Sequence, residues 1–346
     1  MKRRILASIL FFLAIELALA APVLAFTPFG TRLLQEIVPP PTPSPTPILT
    51  VRGTPPSTSA QAAYLLDADT GHVLVDVRGE QRLPMASTTK IMTALIAIQT
   101  ADLSQLVTIR QDAIKEVQAH NGSTANLVVG DQISLKDLLY GLMLPSGDDA
   151  AVAIADAVGG TTSKFVQTMN LFARRLHLTQ THYINPDGLT YLTPQGRPDP
   201  NQYMSAADLV HLARSAMANP FFAQIVELQH FVLPASTVHH AYAWDSINTL
   251  LSTYPGATGI KTGYTVEAGY CLVFAATNGG HHLLGALLHE PDANQRFVDA
   301  RALLDWGFAL PLIPPASSSA ARWGSGYAQT GNFSSIVRKN SLVERP

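Results

Sequence analysis

A single cysteine, Cys271, stands in 346 residues, so no disulfide can form within the chain and no cysteine-based zinc site exists. The eleven histidines include no His-Glu-x-x-His run. The adjacent pairs His239-His240 and His281-His282 would point apart on a strand, so they read as ordinary surface or core residues. Excess charge of either sign is missing too: 23 Lys and Arg oppose 25 Asp and Glu, for a formal net charge of -2. That excludes a protein that holds nucleic acid by bulk electrostatics. No internal repeat is visible. Apolar residues are plentiful, at 47% against 14% charged. A disordered chain is thereby excluded, and there is room for one large domain or two ordinary ones.

The start of the chain speaks of export. Met1-Lys2-Arg3-Arg4 is followed by an apolar stretch from Ile5 to Phe26 with one carboxylate, Glu16. Ala18-Leu19-Ala20 fits a cleavage site, yet the stretch is also long enough to span a bilayer, so residues 1–26 read as a signal peptide or a membrane anchor. Either one places the rest of the chain outside the cytoplasm. Residues 27–61 are rich in Pro, Thr and Ser, with six prolines between Pro39 and Pro47. Such a run cannot pair as a strand and is extended, as a stalk or a secreted leader. The remaining boundaries read as a domain over 62–310 and a flexible tail over 311–346, too short for a second sheet domain and without an amphipathic stripe to anchor it.

Within 62–310 the hydrophobic period changes twice. Ala63-Tyr64-Leu65-Leu66 and His72-Val73-Leu74-Val75 flank the turn Asp67-Ala68-Asp69-Thr70-Gly71 and predict a hairpin. Pro84 then opens a helix over Met85–Thr100. Ser134 caps a helix with Leu135, Leu138, Leu139, Leu142 and Met143 on one face. More helices follow at 149–158, at 165–176 through Phe165, Met169, Phe172 and Leu176, and at 206–217 behind the cap Ser205. A second hairpin turns at Asn278-Gly279-Gly280, and Phe297, Ala300, Leu304 and Phe308 mark a closing helix. The expectation is an α+β fold: a sheet assembled from N- and C-terminal segments, helices on its faces, and a mostly helical middle.

Three short motifs carry the chemistry. In Ser87-Thr88-Thr89-Lys90 the hydroxyl and the amine lie one helical turn apart, and a lysine can serve as base for a serine nucleophile. Chance alone supplies about 0.45 such pairs at this composition. Lys261-Thr262-Gly263 is rarer, at about 0.04 expected occurrences. A lysine, a threonine hydroxyl and a glycine along an exposed strand edge make a site for a carboxylate. Between them lies Ser146-Gly147-Asp148, which could also do no more than cap the following helix.

Taken together, the trio resembles the S-x-x-K, S-D-N and K-T-G set of class A β-lactamases and penicillin-binding proteins, with one departure. More narrowly, the chain is similar to the D-alanyl-D-alanine carboxypeptidases of the low-molecular-mass penicillin-binding type. Further stretches carry that likeness: Leu66-Asp67-Ala68-Asp69-Thr70-Gly71, Asn185-Pro186-Asp187-Gly188-Leu189, Gly259-Ile260-Lys261-Thr262-Gly263-Tyr264-Thr265 and Ala268-Gly269-Tyr270. The resemblance implies a β-lactamase/transpeptidase-like fold. It makes Ser87 the acyl-forming nucleophile, Lys90 its proton acceptor and Ser146 a proton relay. Lys261, Thr262 and Gly263 hold the substrate carboxylate, with Arg296 in support, and the backbone N–H groups of Ser87 and Tyr264 form the oxyanion hole. It implies peptidoglycan stem peptides ending in D-Ala-D-Ala as substrate, β-lactam antibiotics as covalent inhibitors, and no cofactor.

Asp148 is the departure, since the family usually has Asn there, which both donates and accepts hydrogen bonds whereas an ionised Asp only accepts. It could pair with Lys90 or Lys261 and weaken that lysine as a base, or supply negative charge beside two cations. Two other functions compete. A serine β-lactamase of class A needs a glutamate in a Glu-x-x-Leu-Asn run, and Glu227, the one glutamate between Ser146 and Lys261, does not lie in such a run. A non-catalytic wall-binding protein could keep the cleft and lose turnover through Asp148.

Overall fold

The computed structural model describes residues 48–313. Its strands in chain order are β1 (Ile48–Leu49), β2 (Ala62–Asp67), β3 (Val73–Val77), β4 (Leu106–Thr108), β5 (Gln132–Ser134), β6 (His230–Leu233), β7 (Tyr242–Asp245), β8 (Ala257–Thr265), β9 (Gly269–Asn278), β10 (His281–Glu290) and β11 (Leu312–Ile313). Five of them form one antiparallel sheet in the order β3-β2-β10-β9-β8. The chain lays down β2 and β3, departs into helices for more than a hundred residues, and returns to complete the sheet. The α+β class expected from the sequence therefore holds, and β8 is left as an edge strand.

Local chemistry accounts for the turns. In the β2–β3 turn, Asp67 accepts from the backbone N–H of Asp69 at 3.0 Å and from Thr70 Oγ1 at 2.7 Å, while Gly71 takes φ 78°. Gly279 and Gly280, at φ 57° and 82°, close the β9–β10 hairpin in the left-handed conformation that a tight two-residue turn requires. Along the strands, side chains alternate between two cores. Tyr64, Leu66, Val273 and Leu284 point to the larger inner core, which packs on the helical middle. Leu65, Leu272, Phe274 and Leu287 point to the outer core, covered by the Gln295–Phe308 helix. The expected caps form: Ser134 Oγ accepts from Asp137 N at 3.0 Å and Ser205 Oγ from Asp208 N at 3.1 Å, each contributing about 1 kcal/mol.

Two expectations need adjustment. The helix after Pro84 begins as a 3-10 turn, Ala86–Thr89, before Lys90–Thr100 continues as α-helix. The folded body is also longer than 62–310 at both ends. β1 pairs with β11, Leu49 is buried, Gln61 N donates to Leu288 O at 3.0 Å, and Ser59 N donates to Asp299 Oδ2 at 2.6 Å. Residues 48–61 thus lie on the domain instead of holding it at a distance, because Ile48 and Leu49 are apolar enough to pair and bury once the dense proline run has ended. The leader 1–26, the run 39–47 and the chain beyond 313 lie outside the described residues. Among the described residues no helix is long and apolar enough to cross a membrane.

Candidate active site

The Ser87 turn is held from two sides. Ala86 adopts φ 48°, a left-handed conformation that costs a non-glycine residue about 1–3 kcal/mol and persists only where packing enforces it. Gly188 and Gly263 do the enforcing. A Cβ on Gly188 would lie 1.9 Å from Ala86 O, and one on Gly263 would lie 3.1 Å from both Met85 O and Ser87 N. The loop before Gly188 then grips the helix itself, since Thr93 Oγ1 donates to Pro186 O at 2.6 Å and Lys90 Nζ to Asp187 O at 3.0 Å. On this support Lys90 Nζ lies 2.9 Å from Ser87 Oγ, with Lys90 wholly buried and Ser87 only 8% exposed.

Lys90 has a second strong partner. Its Nζ pairs with Asp148 Oδ1 at 2.5 Å, both side chains fully buried. Of the two lysines that the sequence offered to Asp148, the structure selects Lys90. The Ser146-Gly147-Asp148 loop does not cap its helix with a side chain: Gly147 occupies the N-cap position and the Asp148–Gly159 helix begins without such a bond. Ser146 sits instead at φ 68°, with Oγ buried and unpartnered. A strained serine with an unused hydroxyl is the signature of a group held ready for something other than folding.

On the opposite wall, β8 presents Lys261, Thr262, Gly263 and Tyr264. Lys261 is buried and donates to Thr262 O at 2.9 Å, while Thr262 Oγ1 is buried without a partner. Tyr264 is exposed and its ring stacks on Tyr270 with centroids 4.4 Å apart. Arg296, in the first turn of the Gln295–Phe308 helix, reaches back to β8 and β9. Its Nη1 donates to Gly263 O at 3.1 Å and to Cys271 O at 3.3 Å, and its Nε has no partner. The guanidinium is half-buried, so it is not the freely solvated helix-start arginine that its sequence position alone would allow.

These elements enclose one cleft of about 850 Å³ whose lining includes Ser87, Ser146, Thr262, Gly263, Tyr264 and Arg296. Lys90, Asp148 and Lys261 are buried behind it. Burial dominates the electrostatics of Lys261 and Asp148. It pushes the Lys261 ammonium well below the ordinary lysine range, helped by the charge of Lys90 and opposed by Asp148. It pushes the Asp148 carboxyl up against the pull of Lys90. Asp187, fully buried and repelled by Asp148, is raised to about 8. Two lysines and two carboxyls therefore share a water-poor region, and the charges of Lys90 and Asp148 act on Lys261 and Asp187. Among the described residues no group of three or more His, Cys, Asp or Glu could hold a metal ion.

In the sequence, Asn185-Pro186-Asp187-Gly188-Leu189 carries the family likeness but no task of its own. The structure supplies one: Asn185 Oδ1 accepts from Gly188 N at 2.8 Å and from Gln202 Nε2 at 3.1 Å, fixing the loop whose carbonyls hold Lys90 and Thr93. Asp149 was missed altogether. Its carboxylate accepts from the backbone N–H of Ala125 at 2.8 Å and of Leu127 at 3.1 Å, and so shapes the loop that carries Ser123, whose carbonyl receives Asp148 N at 2.9 Å. An acidic pair at a helix start was the available signal, but it reads equally well as a response to the helix dipole.

Residues 50–291 match the D-alanyl-D-alanine carboxypeptidase family. A D-alanyl-D-alanine carboxypeptidase of Streptomyces sp. (strain K15) is 37% identical over 273 residues, covering 74% of this chain and 90% of that protein. D-alanyl-D-alanine carboxypeptidase DacC of Escherichia coli (strain K12) is 34% identical, over 76% of this chain and 66% of its own length. Among solved structures, the Streptomyces K15 DD-transpeptidase superposes with a TM-score of 0.69 at 37% identity, covering 75% of this chain and all of that one. The D-alanyl-D-alanine carboxypeptidase from Mycobacterium tuberculosis H37Rv gives 0.66 at 33% identity, over 76% and 96%. The buried Ser-Lys pair, the strained serine across from it and the Lys-Thr-Gly edge strand thus occur in a chain that belongs to the D-alanyl-D-alanine carboxypeptidase family of serine peptidases.

Proposed function

We propose that the chain removes the terminal D-alanine from peptidoglycan stem peptides ending in D-Ala-D-Ala, by way of an acyl-serine. The observation that carries this reading is the 2.9 Å contact between Lys90 Nζ and Ser87 Oγ in a cleft bounded by the Lys261-Thr262-Gly263 edge. The substrate's terminal carboxylate sits against Thr262 Oγ1, whose hydrogen-bonding capacity is unspent, in the field of Lys261 and Arg296. That anchor brings the penultimate carbonyl over Ser87, with the N–H groups of Ser87 and Tyr264 stabilising the oxyanion.

Once its proton has passed to Asp148, whose carboxyl burial pushes up, Lys90 takes the proton from Ser87 Oγ while the oxygen attacks the carbonyl carbon. Collapse of the tetrahedral intermediate breaks the C–N bond. The leaving D-alanine nitrogen receives a proton delivered through Ser146, a residue of the cleft lining whose hydroxyl has no other partner. Water, deprotonated by the same amine, then splits the ester and restores Ser87. A β-lactam enters by the same attack and remains as the ester.

The alternative acceptor is an amine of a second peptide, which would make the reaction a transpeptidation. It is favoured by one finding, the likeness to the K15 DD-transpeptidase, and it uses the same acyl-serine. Export by residues 1–26, as a cleaved signal or a retained anchor, places the enzyme on the outer side of the cytoplasmic membrane, where its substrate is. The test is release of D-alanine from Nα,Nε-diacetyl-L-Lys-D-Ala-D-Ala. Wild type is expected to release it and Ser87→Ala to release none, and equal signals from both would end the catalytic reading. Intact mass after treatment with a fluorescent penicillin separates this from a β-lactamase: the adduct is expected to persist, and its loss within seconds would favour the rival.

A further inference from the structure

The two ends of the cleft carry opposite charge. Lys261 and Arg296 stand at the end that grips a carboxylate. At the other end, where β8 turns into β9, Glu267 lines the same cleft and is half-buried. Its Oε2 accepts from Thr190 Oγ1 at 2.6 Å, a bond that joins the loop after Gly188 to the β8–β9 turn and occupies one of the two carboxylate oxygens. A second carboxylate stands behind this wall: Glu116 accepts from the hydroxyl of Tyr191 at 3.0 Å, and Tyr191 also lines the cleft.

The direction of the substrate follows from the order of groups on β8, given the D-Ala-D-Ala reading on which this inference rests. The terminal carboxylate lies by Thr262 and the scissile carbonyl by the N–H of Tyr264, so the peptide upstream of the bond must continue toward 265–267. In an extended peptide the third residue from the end lies about 7 Å upstream of the last, and the chain from Thr262 on β8 to Glu267 in the following turn spans at most about 17 Å. A long side chain on that third residue covers the difference. We propose that Glu267 is a specificity-determining residue that accepts a cationic side chain at the third position of the stem peptide, so that the preferred substrate is a zwitterion: an anionic terminus at one end of the cleft and a diamino acid with a free ammonium at the other. The bond to Thr190 orients the carboxylate for that contact.

The experiment compares kcat/KM for two peptides that differ only in that charge, Nα-acetyl-L-Lys-D-Ala-D-Ala with its ammonium free and the Nα,Nε-diacetyl form. Wild type is expected to favour the free ammonium by about three- to fivefold, the range of a partly exposed ion pair, and less at high salt. In Glu267→Gln, which keeps an acceptor for Thr190, the ratio is expected to fall to about one, and in Glu267→Lys it should invert. A ratio near one in wild type overturns the proposal while leaving carboxypeptidase activity intact. Equal losses on both peptides in Glu267→Gln would make the residue a mere brace between the two walls and overturn it as well. Failure of wild type to hydrolyse either peptide removes the underlying reading and this one with it.

Discussion

The two faces of the five-stranded sheet treat buried charge in opposite ways. On the inner face, Lys90, Asp148 and Lys261 are buried together, and opposite charges meet at 2.5 Å. On the outer face, Glu290 at the end of β10 and Asp299 on the covering helix are both buried, and among the described residues neither forms an ion pair. Their partners are neutral: Ser59 N at 2.6 Å and Gln295 Nε2 at 2.7 Å reach Asp299, and Glu290 makes no bond to a donor side chain. The inner arrangement keeps its charges by pairing. The outer one holds a carboxyl toward its neutral form instead: burial, then the charge of Asp299, raise Glu290 to about 8. Paired charge is what a proton-transfer site needs, because a carboxylate and an amine in direct contact give a proton two places to rest within one buried cluster. On the outer face Asp299 instead fastens the 59–61 segment to the covering helix by accepting from Ser59 N.

The largest effect this contrast predicts comes from removing an inner charge. Lys90→Met should lower kcat/KM for D-alanine release by about 10²- to 10⁴-fold, the usual contribution of a general base. It should also cost about 3–5 kcal/mol of stability, since Asp148 is left buried and alone. Adding Asp148→Leu should recover most of the stability, read by urea denaturation, and none of the activity. If Lys90→Met is as stable as wild type, the ion pair is not what holds the inner face together, and the contrast between the faces is lost.

The hairpins, caps and motifs were legible because each is decided locally. Ser134 and Ser205 announce helices, Asn278-Gly279-Gly280 announces a turn, and the spacing of Ser87 and Lys90 on one helical turn fixes their contact whatever the tertiary fold. What could not be read was anything set by approach across the fold. The need for glycine at 188 comes from the carbonyl of Ala86, about a hundred residues earlier. Asp148 was read as a partner for either lysine, and only packing decides for Lys90. The docking of 48–61 was hidden for a similar reason: a proline-rich composition says how a segment behaves alone, not that Ile48 and Leu49 find β11.

The next effect concerns pH. Lys261 is already lowered by burial and by Lys90, and the negative charge of Asp148 opposes that shift. Asp148→Asn removes the opposition, so Lys261 should lose its proton at lower pH, and with it part of the grip on the substrate carboxylate. The alkaline limb of kcat/KM is therefore expected to move to lower pH, with turnover retained. A profile unchanged by Asp148→Asn would mean that the two lysines do not share the carboxylate's field.

The smallest effect belongs to the outer face, and it has the opposite sign. A carboxyl whose folded value is raised binds more protons folded than unfolded, so its contribution to stability is complete below the ordinary value of 4.5 and is lost as pH rises toward about 8. Glu290→Gln keeps the neutral shape and cannot ionise. It should leave Tm nearly unchanged at pH 5 and raise it by about 2–4 °C at pH 8, as expected for about 1 kcal/mol in a domain of this size. D-alanine release at neutral pH should not respond, since neither carboxyl lines the cleft. A loss of stability at both pH values, like that expected of Lys90→Met, would show that Glu290 is held as an anion by a partner of its own, and the two faces would then follow the same rule.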